Sequence, residues 1–339
     1  MHLPHRHNAP VPDFVPAWFL PGPHLQTIWG RIVRPRRLVH LRRERIDTPD
    51  GDELILDHLD STTGSDLHFV LMHGLEGSSY SVYIQGILAI IARYGHSATA
   101  INFRSCAREE HRILKMIPNR RPRFYHSGDT GDFDFVLRTL HARAPHKRFL
   151  AFGASLGGNV LLKWLGENPS QTLATAAATL SVPYDLGAGS LLLEKTAAGR
   201  FYVSRFLATL KRKAMRADIR PLIDVDAMQR TNTFRAFDDV ATAPLHGFVD
   251  GNDYYARSSS IHYVGRIQTP ALALNAEDDP FLPSDVLPRV KAAASPAVDF
   301  RTTPTGGHVG FIGGAKPWRA EYWGEELVVR WLIEQAGRN

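Results

Sequence analysis

Ser155 stands in the run Gly153-Ala154-Ser155-Leu156-Gly157-Gly158. An apolar stretch, residues 148–152, precedes it, and residues 159–165 follow with helical spacing. A serine hydroxyl attacks a carbonyl only when a base takes its proton and nearby donors hold the charge that develops. Strand, Gly-x-Ser-x-Gly, helix is the order of a nucleophile elbow, which lifts the hydroxyl above a sheet on a strained turn. Small residues on either side let strand and helix close together. The turn also leaves the Leu156 N–H at a helix N-terminus, where it can face an oxyanion. In a chain with 27 glycines the pentapeptide alone is a modest signal, so a base, an acid and a second donor must be found elsewhere.

The base candidate is His308, in Gly306-Gly307-His308-Val309-Gly310-Phe311, after a strand expected over residues 298–303. The acid candidates are Asp278 and Asp279, at the end of a strand expected over residues 270–275. Ser, Asp, His in that chain order suits an elbow nucleophile. Strand spacing does not separate the two aspartates. A second oxyanion donor is expected at Leu75, in the turn His73-Gly74-Leu75 after the apolar run 67–72. His73 precedes the serine in the chain and reads as a structural hydrogen-bonding group. Glu76 reads equally as a polar lining group or an exposed one. Cys106 has no helix start or histidine attached and reads as a packed thiol.

These groups need a scaffold that alternates strands and helices. Residues 38–46 and 53–60 alternate apolar and polar around the turn 48–52, as an edge hairpin does. Residues 67–72 are apolar almost throughout, which suits a strand covered on both faces of a parallel sheet. A helical stripe follows at 84–94, a strand at 97–103, a capped helix near 133–140, the elbow, and a strand at 174–182. The expectation is an α/β protein with a mostly parallel central sheet and helices on both faces. Residues 185–240 break the rhythm with amphipathic basic helices and read as a lid insertion. The division is then a flexible tail at 1–15, core at 16–184, lid at 185–240 and core again at 241–339. His2, His5 and His7 lie in the tail and read as solvated. The aromatic, proline-rich stretch from Pro16 to Thr27 is expected to pack irregularly over the domain edge.

Composition sets the partners. Hydrophobic residues make up 44% and charged residues 22%, so a packed core is expected. One cysteine excludes an internal disulfide and fits a reducing compartment. The first residues lack the apolar core of a secretory leader, and no apolar run is long enough to span a bilayer, so a cytoplasmic location is expected. Net charge is +6, with basic clusters at 31–45, 120–123 and 211–220. No nucleic-acid motif accompanies them, so nucleic acid is not an expected partner. Peripheral contact of the basic lid with an anionic membrane is left open. No cofactor or metal is expected, and oligomeric state is not legible.

Several segments together resemble one family. They are Pro23-His24-Leu25-Gln26-Thr27, His73-Gly74-Leu75-Glu76-Gly77-Ser78, Asn102-Phe103-Arg104, Tyr125-His126-Ser127-Gly128, the elbow itself, Ala243-Pro244-Leu245-His246-Gly247-Phe248, and the His308 loop. The chain resembles the YheT-like α/β-hydrolases, related to the mammalian phospholipase-like and monoacylglycerol-lipase-like ABHD proteins and to plant EMB-type proteins. The resemblance runs from about Pro16 to Trp331. It implies an α/β-hydrolase fold with a helical lid, and Asp279 as the acid, before Pro280-Phe281-Leu282-Pro283. It implies hydrolysis of carboxylic esters, on short or medium acyl chains or glycerolipids, without a cofactor. The same residues would serve a thioesterase or acyltransferase, and an idle scaffold that binds lipid or protein is the reading from another class. One departure is visible: the family usually has glycine after Asn-Phe-Arg, where this chain has Ser105.

Overall fold

The computed structural model describes residues 11–113 and 115–338. The tail histidines His2, His5 and His7 lie outside the described residues. A continuous sheet runs in the order β1-β2-β4-β3-β5-β6-β7-β8. Its strands are β1 (Arg42–Asp47), β2 (Glu53–Leu59), β3 (Leu67–Met72), β4 (Ser97–Asn102), β5 (Arg148–Ala154), β6 (Ala174–Leu180), β7 (Ala271–Ala276) and β8 (Val298–Thr303). β2 pairs antiparallel with β1 and with β4, and the remaining neighbours pair in parallel.

The apolar run of β3 is explained by its place between β4 and β5. Successive side chains point to opposite faces, so a strand covered on both must be apolar at every step. Phe69 and Leu71 pack with Ile84, Ile87, Leu88 and Ile91 of α2 (Val82–Arg93) and with the closing helix Trp323–Arg338. Val70 and Met72 face the other layer, with Phe133, Val136 and Leu137 of α3 (Gly131–Arg143) and Val160 and Trp164 of α4 (Leu156–Glu167). Full burial of each such side chain is worth about 1.5–3 kcal/mol.

The hairpin of β1 and β2 is present, closed by the turn in which Thr48 N–H donates to Asp52 O at 3.0 Å. Alternation in β2 suggests one solvated face, yet the whole strand is buried. Its polar residues are taken up internally. The Asp57 carboxylate accepts from Arg43 Nε at 2.8 Å and Asn102 Nδ2 at 2.8 Å, and His58 bridges Thr99 and Glu44 at 2.9 Å each.

One expectation needs correction. From Pro23 the aromatic, proline-rich stretch is not irregular but forms a helix, α1 (Pro23–Val33). Proline at the first helical position loses no hydrogen bond there, and its fixed φ suits the helix start.

Between β6 and β7 the chain leaves the sheet. α5 (Leu186–Lys195) and α6 (Ala197–Ala214) come first, and short helical turns continue to Arg266. α6 buries Val203, Leu207, Leu210 and Ala214, a stripe at helical spacing. Its other face carries exposed charge.

Candidate active site

β3, β5, β7 and β8 run parallel, so their carboxyl ends open on one edge of the sheet, where ligands bind in open α/β folds. Leu75 follows β3, Ser155 follows β5, Asp279 follows β7 and His308 follows β8. Topology alone therefore brings together groups up to 233 positions apart, from Leu75 to His308.

The elbow is strained as its sequence requires. Ser155 has φ 52° and ψ −121°, outside the common regions for a side-chain-bearing residue. It is held there by its own N–H to Leu180 O at 2.9 Å and by Asn159 N–H to its carbonyl at 3.1 Å. At Gly153 a Cβ would come within 2.4 Å of Gly157 O, so strand and helix cross at a point no side chain can enter.

His308 Nε2 lies 2.8 Å from Ser155 Oγ, and Nδ1 lies 2.8 Å from Asp279 Oδ2. A carboxylate only accepts, so Nδ1 carries the proton and Nε2 is free to accept from the serine hydroxyl. Asp279 is buried, and its other oxygen accepts from Phe281 N–H at 2.9 Å. Asp278 points elsewhere: its Oδ1 accepts from Gly307 N–H at 2.8 Å. Burial pushes the Asp278 carboxyl up from its ordinary value. The geometry thus separates the two aspartates that spacing left together.

The amides of Leu75 and Leu156 donate no hydrogen bond within the described residues. Leu156 opens α4, and Leu75 sits in a loop whose shape is fixed from both sides. Tyr83 Oη accepts from Gly74 N–H at 2.7 Å, and Tyr125 Oη accepts from Glu76 N–H at 2.6 Å. His73 is structural, as expected. Its Nδ1 donates to Gly74 O at 2.7 Å, its Nε2 accepts from Phe103 N–H at 3.2 Å, and burial lowers its pKa to about 3. Cys106 is a buried free thiol, raised to about 11 by burial. Ser105 adopts φ 60°, the conformation a glycine would take without strain at this position.

Glu76 is neither exposed nor a free lining group. Its carboxylate meets Lys213 Nζ of α6 at 2.5 Å and accepts from Tyr125 Oη at 3.0 Å. Burial alone would raise this carboxyl, but the Lys213 ammonium overrides burial and holds it below the usual carboxylate range.

Several positioning residues escape a sequence reading. Thr27 Oγ1 accepts from His308 N–H at 2.9 Å and donates to Pro23 O at 2.7 Å. Buried Gln26 donates to Ile312 O at 3.0 Å and accepts from Ile312 N–H at 2.7 Å. Ser181 Oγ accepts from Val309 N–H at 2.8 Å. The loop they clamp is tight: Gly307 has φ 60°, and a Cβ there would meet Pro23 O at 2.4 Å. Their only signal in the sequence is the Gln26-Thr27 pair within a shared segment.

Residues 68–315 match the α/β hydrolase fold family. The chain belongs to that family. Within it, the chain is 34% identical over 327 residues to YheT of Escherichia coli strain K12, provisionally named as an esterase, covering 94% of this chain and 93% of that one. It is 31% identical over 309 residues to Phospholipase ABHD3 of Bos taurus, covering 88% of this chain and 72% of that one. These relatives make it an esterase/lipase-type α/β hydrolase of the YheT-like group. Among solved structures, the Pyrococcus furiosus esterase Pf2001 superposes with a TM-score of 0.56 at 17% identity, covering 90% of this chain and 97% of that one, a likeness of fold.

Ser155, His308, Leu75 and Leu156 line one cavity of about 630 Å³, a size suited to a small-molecule ligand. Leu193 of α5 and Phe206 and Leu210 of α6 close part of it with apolar surface, and Phe281 packs its ring centroid 4.2 Å from that of His308. Among the described residues no helix is long and apolar enough to cross a membrane.

Proposed function

We propose that the protein is a serine hydrolase of carboxylic esters that works through an acyl-serine intermediate. The observation that carries the proposal is the relay of 2.8 Å contacts from Ser155 Oγ through His308 to Asp279. Ser155 Oγ attacks the acyl carbonyl carbon while His308 Nε2 takes the hydroxyl proton. Asp279 keeps the imidazole in the required tautomer and stabilises its protonated form. The N–H groups of Leu75 and Leu156 receive the oxyanion, each such donor being worth about 3 kcal/mol of barrier. His308 returns the proton to the leaving alkoxide, which departs as the alcohol. Water then attacks the acyl-serine with His308 again as base, which releases the carboxylic acid and restores the hydroxyl.

The apolar cavity wall supports an acyl chain of short to medium length, or a glycerolipid, as the substrate. Residues 185–240 act as a lid in this reading, because α5 and α6 supply that wall and the Lys213–Glu76 pair ties α6 to the loop carrying Leu75. The lone cysteine suits a cytoplasmic enzyme. The test is hydrolysis of p-nitrophenyl esters of graded chain length. Saturable turnover is expected, with an optimum that shifts to longer chains when Phe206 is replaced by Ala. Absence of turnover across the whole series overturns the ester assignment.

A further inference from the structure

Asp238 lines the same cavity as Ser155, in company with Leu186, Leu193, Phe234 and Phe237. A carboxyl among apolar side chains is costly unless polar groups meet it. Among the described residues no cation lies within ion-pair distance of Asp238. Arg235, on the turn before, pairs with Asp239 instead at 3.4 Å, and Asp239 also accepts from Gly251 N–H at 2.7 Å. The two chain neighbours therefore differ: Asp239 is engaged outside the cavity, and Asp238 is turned to its wall.

A small network orients Asp238. It opens a π-helical turn, Asp238–Thr242, in which Ala243 N–H donates to Asp238 O. Such wide turns are frequent at functional sites. Thr242 Oγ1 donates to Asp238 Oδ1 at 2.6 Å, and Tyr255 Oη donates to Oδ2 at 2.7 Å. Tyr255 Oη also lies 3.4 Å from Ser190 Oγ of α5, so the network reaches the lid helix. Thr242, Tyr255 and Ser190 are buried, whereas Asp238 keeps accessible surface. A carboxyl oxygen has two lone pairs, and each here meets one donor. The group is thus held in place with acceptor capacity left over. Burial pushes it up to about 7, against the two hydrogen bonds that favour its charged form. It accepts in either state and donates when protonated, and a hydroxyl matches both. An ammonium only donates, and Asp239 is not free to help neutralise one.

We propose that Asp238 is a specificity-determining residue that binds a hydroxyl group on the acyl chain, so that the substrate is an ester of a hydroxylated carboxylic acid. This rests on the hydrolase reading above for which bond is cut, but binding of the hydroxyl does not depend on it. The acyl chain lies along the apolar wall that α5 and α6 supply, and its hydroxyl meets the open side of Asp238. An unsubstituted alkyl chain displaces water from the carboxyl and returns no hydrogen bond, which disfavours it.

The experiment has a catalytic arm and a binding arm. In the first, kcat/KM is measured by acid release for ethyl hexanoate and for ethyl 3-, 5- and 6-hydroxyhexanoate, each corrected for its rate of hydrolysis by hydroxide alone. One of the hydroxylated esters is expected to be preferred over ethyl hexanoate by about tenfold or more. In Asp238→Leu that ratio falls toward one, and in Tyr255→Phe, which removes one of the groups orienting the carboxyl, it shrinks. No preference at any of the three positions overturns the subsite and leaves the hydrolase intact. A preference that survives in a folded Asp238→Leu protein also overturns it. So does an equal gain for 2-hydroxyethyl hexanoate that is lost in Asp238→Leu, because the recognised hydroxyl would then lie on the alcohol part. In the binding arm, Ser155→Ala is titrated with the same four ethyl esters. Binding of one hydroxylated ester about tenfold tighter than ethyl hexanoate is expected even if the parent protein cleaves none of them. Equal affinities overturn the proposal, and this arm decides it even where Asp238→Leu does not fold.

Discussion

Asp278 and Asp279 are chain neighbours with divided duties: Asp279 Oδ2 meets His308 Nδ1 at 2.8 Å, and Asp278 Oδ1 accepts from the Gly307 amide at 2.8 Å. Replacing Asp279 by Asn puts an amide where a carboxylate held the imidazole, and it can favour the wrong tautomer. A loss in kcat of about 10³-fold or more is expected. Asp278→Asn retains an oxygen that can accept from Gly307 and is expected to cost roughly tenfold or less. Steady-state turnover of a p-nitrophenyl ester by the two variants checks this. A larger loss in Asp278→Asn would move the acid by one position.

Thr27 reaches across the fold to hold the backbone of the histidine itself. Thr27→Val keeps the shape and removes the acceptor, which leaves the His308 amide without its partner at a cost of about 1–3 kcal/mol. The loss is expected mainly in kcat, about tenfold, because the imidazole is less well placed while the cavity is unchanged. Thr27→Ser restores the hydroxyl and is expected to recover most of the rate. Equal behaviour of the Val and Ser variants would show that the contact does not position the base.

The ion pair between Lys213 and Glu76 has side chains only 3% and 6% exposed. Lys213→Met strands a buried carboxylate, and such losses run to about 3–5 kcal/mol. Lys213→Met combined with Glu76→Gln is expected to recover much of that stability. The pH dependence has a definite sign. The folded Glu76 carboxyl lies below its ordinary value because Lys213 outweighs burial. Its stabilisation is therefore present above the ordinary carboxylate range and lost as pH falls through the lower folded value. Thermal melts across the acid range should show this loss in the parent protein and not in the doubly substituted one. Identical pH profiles would remove the pair from the stability account.

The elbow was legible because its chemistry is local: a strand, a serine among small residues and a helix follow one another directly. β3 was legible because two covered faces leave a continuous apolar run. The role of α1 was not legible, since Thr27 meets His308 across 281 positions and Gln26 meets Ile312 across 286. Periodicity carries no record of such contacts. Burial of β2 was hidden for a related reason, because Asp57 and His58 look like solvated residues until their partners Arg43, Asn102 and Thr99 are placed beside them. Strand spacing left the adjacent aspartates together; the family resemblance pointed to Asp279, and the position of the His308 loop supplies the physical reason, with Asp279 on the imidazole and Asp278 on the Gly307 amide.

The most direct measurement of the central claim is labelling with a fluorophosphonate probe, read by intact mass and peptide mapping alongside ester turnover. The parent protein is expected to take up one equivalent at Ser155 and to lose turnover in step with labelling. Ser155→Ala is expected to fold with an unchanged melting profile, take up no probe and show no turnover above background. Full ester turnover by a folded Ser155→Ala protein, or probe attached elsewhere while Ser155 stays unmodified, would contradict the account.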